Sequence, residues 1–269
     1  MTKITFKEIK KISIIKIGGN IIDNEVNLAS FLNAYAAVDG KKILIHGGGK
    51  LATKMAADLN IPQQMVAGRR ITDAATLKIV TMVYAGYINK NIVAALQSKK
   101  INALGICGAD ANIIKAHKRI HATTDYGFVG DIDAVDTTKI VQLLDAGLSL
   151  VVAPITHDGA GQLLNTNADT MAQAIATAIS SVYEVSLVYS FEKKGVLSDV
   201  NNNDSVIPVI HPENYAALKE SGQVNEGMIP KLDNAFEALQ KGVSRVIIGD
   251  ALDLLQLLAG SVGTTIQKN

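Results

Sequence analysis

Short β-branched runs alternate with amphipathic stretches along this chain, and glycines gather where one gives way to the other. The first run, Ile12 to Ile17, reads as a buried strand and ends in Gly18-Gly19, where the backbone can turn tightly and expose N–H groups. Val26, Leu28, Phe31, Leu32 and Tyr35 then predict a helix over Glu25–Val38 with one buried stripe, ended by Gly40. Lys41–Ile45 reads as a second strand, followed by His46-Gly47-Gly48-Gly49 and a helical pattern through Leu59. Strand, glycine turn and helix have by then occurred twice, which predicts a parallel sheet with crossover helices. Ligands of such sheets bind beyond the carboxyl ends of the strands, where both glycine clusters fall.

Pro62 interrupts the pattern, and Val66–Asp73 reads as a loop or short hairpin carrying Arg69 and Arg70, of which one reaches inward. Thr72 or Asp73 caps a long helix from Ala74 to about Ser98. Ile101–Ile106 is a strand; Asn112–Ala116 and Tyr126–Val129 form a hairpin able to cover a ligand. Asp136 caps a helix through Leu144, Leu148–Pro154 is a strand, Thr156–Asp169 is irregular, and Thr170–Ile179 is an alanine-rich helix. A boundary near Ser180–Glu184 divides the chain into residues 1–182 and 183–269. The second part reads as a strand at Val185–Tyr189, a polar turn at Asn201–Asp204, and a helix from Pro212 to Ser221-Gly222. Asn225–Leu232 opens a further helix with Lys231 in its first turns; a strand at Val243–Ile248, a helix at Leu252–Ala259 and a last strand at Gly263–Ile266 complete the pattern.

Composition narrows the function classes. Apolar residues make up 48% of 269, enough for a substantial core. With 26 Lys and Arg against 25 Asp and Glu, and only 4% aromatic residues, nothing marks a nucleic-acid binder. Cys107 is the single cysteine, which excludes an internal disulfide and a cysteine-rich metal site. The charged start, M-T-K-I-T-F-K-E-I-K-K, is neither a secretory signal nor a membrane span, so a soluble cytoplasmic protein is expected.

Lys16 lies inside an apolar run, where its ammonium is costly unless an anion or carboxylate answers it; the plainer reading is an edge strand whose lysine reaches water. Two glycine turns can hold an anion through backbone N–H groups. Lysines on either side of a transferring phosphoryl group would stabilise its charge, and Lys16 and Lys231 suit those places, with Asp169 holding them together. Asp169 could equally be a helix cap and Lys231 a surface residue. The Gly47–Gly49 run lacks the spacing of a P-loop or a dinucleotide fingerprint. His46 packs or hydrogen-bonds beside its turn, His117 and His121 lie in hairpin-like sequence unsuited to zinc, and Cys107 is a small buried residue.

Together, K-I-G-G (Lys16–Gly19), H-G-G-G (His46–Gly49), G-R-R-I-T (Gly68–Thr72), L-N-T-N-A-D (Leu164–Asp169) and G-M-I-P-K (Gly227–Lys231) resemble the acetylglutamate kinases of the amino acid kinase family, in order and over essentially the whole chain. The resemblance implies an α/β three-layer sandwich with a mainly parallel central sheet in two lobes. Residues 1–182 would bind the acylamino acid and form a homodimer; residues 183–269 would bind ATP. It further implies transfer of a phosphoryl group from ATP to the γ-carboxylate of N-acetyl-L-glutamate, in arginine biosynthesis. In that scheme Lys16 and Lys231 stabilise the transition state, Asp169 organises them, and Gly19 and Gly48 flank the phosphoryl group. Arg70 pairs with the α-carboxylate, and Asn165 and the Gly48 and Gly49 amides make other substrate contacts. Lys16, Gly18, Gly19, Ser190, Gly195, Gly227, Met228 and Lys231 line the nucleotide, and Mg²⁺ is held mainly through nucleotide phosphates, with no metal ligand from the protein. Transfer is direct and in line, without a general base, because the γ-carboxylate is already ionised near neutrality.

The chain departs from the family at S-F-E-K-K-G, Ser190–Gly195, where many members have S-D-V or T-D-V: Phe191 replaces the aspartate, which bears on ribose and adenine binding. Few residues precede the first strand, so by resemblance a homodimer without arginine feedback is expected. The acyl group is open between acetyl and succinyl, with Arg69, Lys118 and Arg119 as cations available to a second acyl carboxylate. Glutamate 5-kinase, aspartokinase and carbamate kinase are alternatives within the family. A non-catalytic, metabolite-binding regulator is the alternative outside enzymology, and a dehydrogenase is opposed by the glycine pattern.

Overall fold

The computed structural model describes residues 10–66, 69–221, 224 and 228–268. In chain order the strands are β1 (Lys11–Ile17), β2 (Lys41–Ile45), β3 (Gln64–Val66), β4 (Arg69–Ile71), β5 (Ala103–Cys107), β6 (Ile114–Lys118), β7 (Gly130–Val135), β8 (Ser149–Ala153), β9 (Ile155–His157), β10 (Leu163–Asn165), β11 (Glu184–Phe191), β12 (Val209–Ile210), β13 (Arg245–Asp250) and β14 (Thr264–Gln267). The α-helices are α1 (Gly19–Ile22), α2 (Glu25–Ala37), α3 (Gly49–Asp58), α4 (Ala74–Thr81), α5 (Asn89–Gln97), α6 (Thr137–Asp145), α7 (Ala168–Ile179), α8 (Pro212–Glu220), α9 (Ile229–Gln240) and α10 (Leu254–Ala259). A π-helical segment, Met82–Ile88, joins α4 to α5.

An eight-stranded sheet in the order β12-β14-β13-β11-β1-β2-β8-β5 forms the middle layer. From β13 to β5 every pairing is parallel; β14 runs antiparallel to β13 and pairs β12 in parallel. Period-two alternation sends Ile12 and Ile14 of β1 to one face, with Ile43, Ile45, Leu187 and the α7 residues Met171 and Ile175. Ile15, Ile17, Leu44 and Val188 face the opposite way, toward Phe31, Ile79, Val80 and Ile92. Helices α6, α7 and α9 therefore cover one side, and α2, the α4–α5 run and α10 the other, which is the three-layer sandwich expected.

Beyond the carboxyl end of β8 the chain builds a second sheet, β10-β9-β6-β7. Two expectations are corrected here. The partner of β6 is Gly130–Val135 rather than Tyr126–Val129, and Thr156–Asp169 is not irregular but contributes β10 and most of β9. Polar residues and short length obscured both, although Ile114 and Ile155 reach the core. Val26, expected in the buried stripe of α2, is 75% exposed, while Phe31, Leu32 and Tyr35 are buried. Ala74–Gln97 is long and apolar enough to cross a membrane by composition, yet Leu77, Ile79, Val80, Val83, Tyr84, Ile88, Ile92 and Leu96 pack into the core. The expected boundary at Ser180–Glu184 falls between α7 and β11, and β11 pairs with β1 along the whole of β1.

Candidate active site

Lys16 lies on the face of β1 that carries Ile12 and Ile14, so it points toward α7. Asn167 caps α7, accepting hydrogen bonds from the backbone N–H groups of Asp169 (2.8 Å) and Thr170 (3.1 Å). Asp169 is therefore a first-turn residue and not the cap. Its Oδ1 lies 2.9 Å from Lys16 Nζ and its Oδ2 2.9 Å from Nζ of Lys231, in the first turn of α9. Burial alone would raise the Asp169 carboxyl, but the two ammonium groups override it and hold the pKa to about 2. One carboxylate thus balances two cations and leaves the cluster positive. With 15% of the Lys16 and 31% of the Lys231 side chain exposed, both can still meet an anion. The Lys231 ammonium also sits 5.8 Å from the Tyr189 ring centroid and 5.7 Å from that of Phe191, so both rings face the cation.

The turn after β1 is pinned from β11. Gly18 N–H donates to Ser190 O (2.8 Å), and the Ser190 hydroxyl donates to Lys16 O (2.9 Å). A Cβ at Gly18 would stand 3.2 Å from Phe191 Cβ, whereas one at Gly19 would meet nothing within 4 Å. Met228 is the N-terminal flanking residue of α9 and packs on the core. A Cβ at Gly195 would meet Val206, Gly263 and Thr264, which accounts for the glycine by packing. Gly227, and Gly68 of the arginine motif, lie outside the described residues.

The second glycine turn borders a cavity of about 210 Å³ lined by Gly47–Gly49, Arg69, Arg70, Tyr84, Arg119 and Asn165–Ala168, among others. Gly48 has φ +148°, a backbone conformation costly for any side chain, and its Cα faces Ile88 and Tyr84. Strand alternation on β4 buries Arg70 and leaves Arg69 exposed at the rim. The Arg70 guanidinium donates to Gln63 Oε1, Gly49 O (2.9 Å) and Thr53 Oγ1 (2.9 Å). Arg119 forks onto Asp131 and holds that carboxyl below the usual range. Asn165 donates to Thr72 Oγ1 (3.0 Å). The result is a small pocket lined by three arginines, whose lining ends at Ala168, the residue before the lysine-paired Asp169.

Other candidates are placed elsewhere. His117 pairs with Asp133 at 2.6 Å and His121 stands edge-on to Tyr126. Cys107 is half-buried, with burial raising its thiol pKa. Among the described residues no group of three or more His, Cys, Asp or Glu side chains could hold a metal ion. The residues that sequence reasoning missed are Gln63, Thr53 and Tyr84, which surround Arg70; Asn167 belongs by sequence with Asn165 and Asp169, and the structure gives it the cap of α7. Asn167 was legible as a cap; the Arg70 contacts join separate elements and leave no local signal.

Residues 11–250 match the amino acid kinase family. The chain is 55% identical over 263 residues to the acetylglutamate kinase of Cytophaga hutchinsonii, covering 97% of this chain and 100% of that one. It is 51% identical to the Bacteroides fragilis acetylglutamate kinase, covering 96% and 98% respectively. Among solved structures, N-acetylglutamate synthase from Neisseria gonorrhoeae, complexed with coenzyme A and N-acetyl-glutamate, aligns with a TM-score of 0.80 at 23% identity. That alignment covers 96% of this chain and 60% of the synthase; Giardia lamblia carbamate kinase aligns at a TM-score of 0.68, 14% identity and 97% and 99% coverage. These likenesses show the fold, and the sequence identities show the rest: the chain belongs to the amino acid kinase family, on its acetylglutamate kinase branch.

Proposed function

We propose that this protein transfers the γ-phosphoryl group of ATP to the γ-carboxylate of N-acetyl-L-glutamate, giving N-acetyl-L-glutamyl 5-phosphate and ADP in cytoplasmic arginine biosynthesis. The observation that carries it is the Lys16–Asp169–Lys231 cluster, whose carboxylate follows directly on Ala168 in the lining of the arginine-bearing cavity. A carboxylate oxygen attacks the γ-phosphorus as the bond to the ADP oxygen breaks, so no proton need be removed. The difficulty is bringing two anions together, and ammonium groups with backbone N–H groups meet it. Lys16 and Lys231 stabilise the charge on the transferred group, Gly19 and Gly48 let it approach the backbone, and Asp169 keeps the lysines in place. Arg70 takes the α-carboxylate, exchanging its present contacts for that anion, with Asn165 and the Gly48 and Gly49 amides beside it. Mg²⁺ would be held mainly through ATP and would screen the phosphate charge, since both Asp169 oxygens already face lysines. The acyl substrate belongs to the 1–182 side and ATP to the 183–269 side, along Gly18, Ser190, Gly227 and Met228. A homodimer completes this reading, and sedimentation velocity tests it.

A second acyl group is favoured by one observation: Arg69 lines the same cavity as Arg70, beside Arg119, which Asp131 already balances, a further cation that an N-succinyl carboxylate could use. Turnover of N-acetyl-L-glutamate, N-succinyl-L-glutamate and L-glutamate with MgATP, read side by side as ADP release, is the deciding experiment. The acetyl compound should be used at least as well as the succinyl one and far better than glutamate. A strong preference for either of the others would replace the substrate, and no turnover of any would support the regulatory alternative.

A further inference from the structure

His46 takes no part in phosphoryl transfer, yet it is completely buried beside the turn that does. It follows Ile45 and so shares the face of Leu44, toward the α4–α5 run. Its Nδ1 lies 2.9 Å from Gly47 O and its Nε2 lies 3.1 Å from Asn89 Nδ2. A carbonyl oxygen can only accept, so Nδ1 carries the proton and Nε2 accepts from the amide. The amide's orientation is fixed in turn. Lys90 Nζ donates to Asn89 Oδ1 (3.1 Å) and to Gly105 O (2.8 Å), and Asn89 Nδ2 donates also to Val151 O (2.9 Å). Asn89 is itself fully buried, and Gly105 leaves room for it, since a Cβ there would overlap Oδ1. Asn89 directly follows the π-helical segment, whose Tyr84 and Ile88 close on Gly48. One stretch of helix thus grips the glycine turn twice: by apolar contact at Gly48, and by hydrogen bonds through His46 to Gly47.

We propose that Asn89 is a positioning residue of the transfer site: acting through His46, it fixes the Gly47 carbonyl and so the direction of the Gly48 and Gly49 amides. The inference rests on the reading of that turn as part of the substrate site. Burial lowers the His46 pKa to about 4, overriding the Gly47 carbonyl contact, which favours the protonated ring, and Lys90 opposes protonation as well. Lys90 is the charge whose field reaches the ring; Tyr84 and the Arg70 guanidinium stand against Gly48 and Gly49 on the turn itself.

Histidine ring ¹⁵N spectra of the whole protein, together with steady-state kinetics, test this. In the unsubstituted protein the His46 ring should hold the Nδ1–H tautomer and not titrate between about pH 5 and 8. Asn89→Leu should lose that fixed tautomer and lower kcat/KM for the acylglutamate about 10- to 100-fold, with the KM for MgATP nearly unchanged. Asn89→Asp should draw a second proton onto the ring, making it titrate within that range and giving kcat/KM a new pH limb. A ring that titrates there in the unsubstituted protein, or a folded Asn89→Leu with unaltered constants, would overturn the proposal. If Asn89→Leu does not fold, the Asn89→Asp profile decides, a flat one counting against the tie. Absence of turnover in the unsubstituted protein would instead overturn the proposed reaction, and the ring spectra would still decide whether Asn89 sets the His46 tautomer.

Discussion

The two glycine turns look alike in sequence, each a pair or triplet of glycines between a buried strand and a helix, but they use glycine for different physical ends. After β1, Gly19 has open space where a side chain would be, and the turn is held from outside by Ser190. After β2, Gly48 has no space at all: its backbone is in a conformation that side chains rarely adopt, and Tyr84 and Ile88 close over it. The first turn keeps room for a ligand. The second lines the cavity with one side and is part of the packing on the other, braced beneath by His46. A glycine run therefore marks a place where backbone must come close to something, without saying whether that partner is a substrate or the protein itself.

The largest effect should come from the ammonium beside the open turn. Lys16→Ala, and likewise Lys231→Ala, should lower kcat by a few orders of magnitude, about 3–5 kcal/mol of transition-state stabilisation, with the melting temperature little affected. Unchanged turnover in both would remove the mechanism. The glycines then separate the turns directly. Gly48→Ala should destabilise the protein by about 2–4 kcal/mol, from overpacking plus backbone strain, measured by urea unfolding. Gly19→Ala should leave stability within about 0.5 kcal/mol and act on turnover alone. Equal losses of stability in the two variants would erase the distinction.

The same contrast explains what could be read from the chain. Buried strands of the main sheet were legible because Ile12–Ile17, Lys41–Ile45 and Leu148–Pro154 are apolar runs bounded by turn residues, and such runs need only local pattern. The lysine pair was legible because Lys16 in an apolar strand demands an answer, and Asp169 gives it across a helix that its own neighbour Asn167 caps. The brace under the second turn was not. His46 and Asn89 are 43 residues apart, and the π-helical widening that sets the phase of Asn89 has no signature in composition. Nor did β7, β9 and β10 announce themselves: β7 alternates acidic and apolar residues, and β9 and β10 are three residues each, too short for a period to show.

Arg70 gives a smaller effect at the closed turn. It is held by Gln63, Thr53 and Gly49 before any substrate arrives, so Arg70→Ala removes both a carboxylate partner and a strut of the turn. The expected loss is about 2–3 kcal/mol in kcat/KM, expressed mainly as a raised KM for the acylglutamate. A normal KM would detach this arginine from the substrate.

The smallest and most specific difference is a pH limb that only the second turn should possess. His46 has a folded pKa of about 4 against an ordinary value of 6.5, because burial disfavours its charged form. Between those values the unfolded chain binds more protons than the folded one, so stability from this group is fully present above about pH 6.5 and is lost as the pH falls toward 4. At pH 5 the loss relative to pH 7 should be about 2 kcal/mol. Asp169 has its pKa lowered too, from 3.8 to about 2, and its contribution therefore disappears only at still lower pH. Urea unfolding of the protein and of His46→Gln at pH 7 and pH 5 isolates the histidine: the substituted protein should lack most of the difference. If both lose stability equally over that interval, the ring is not held neutral, and the brace beneath Gly48 is not built on it.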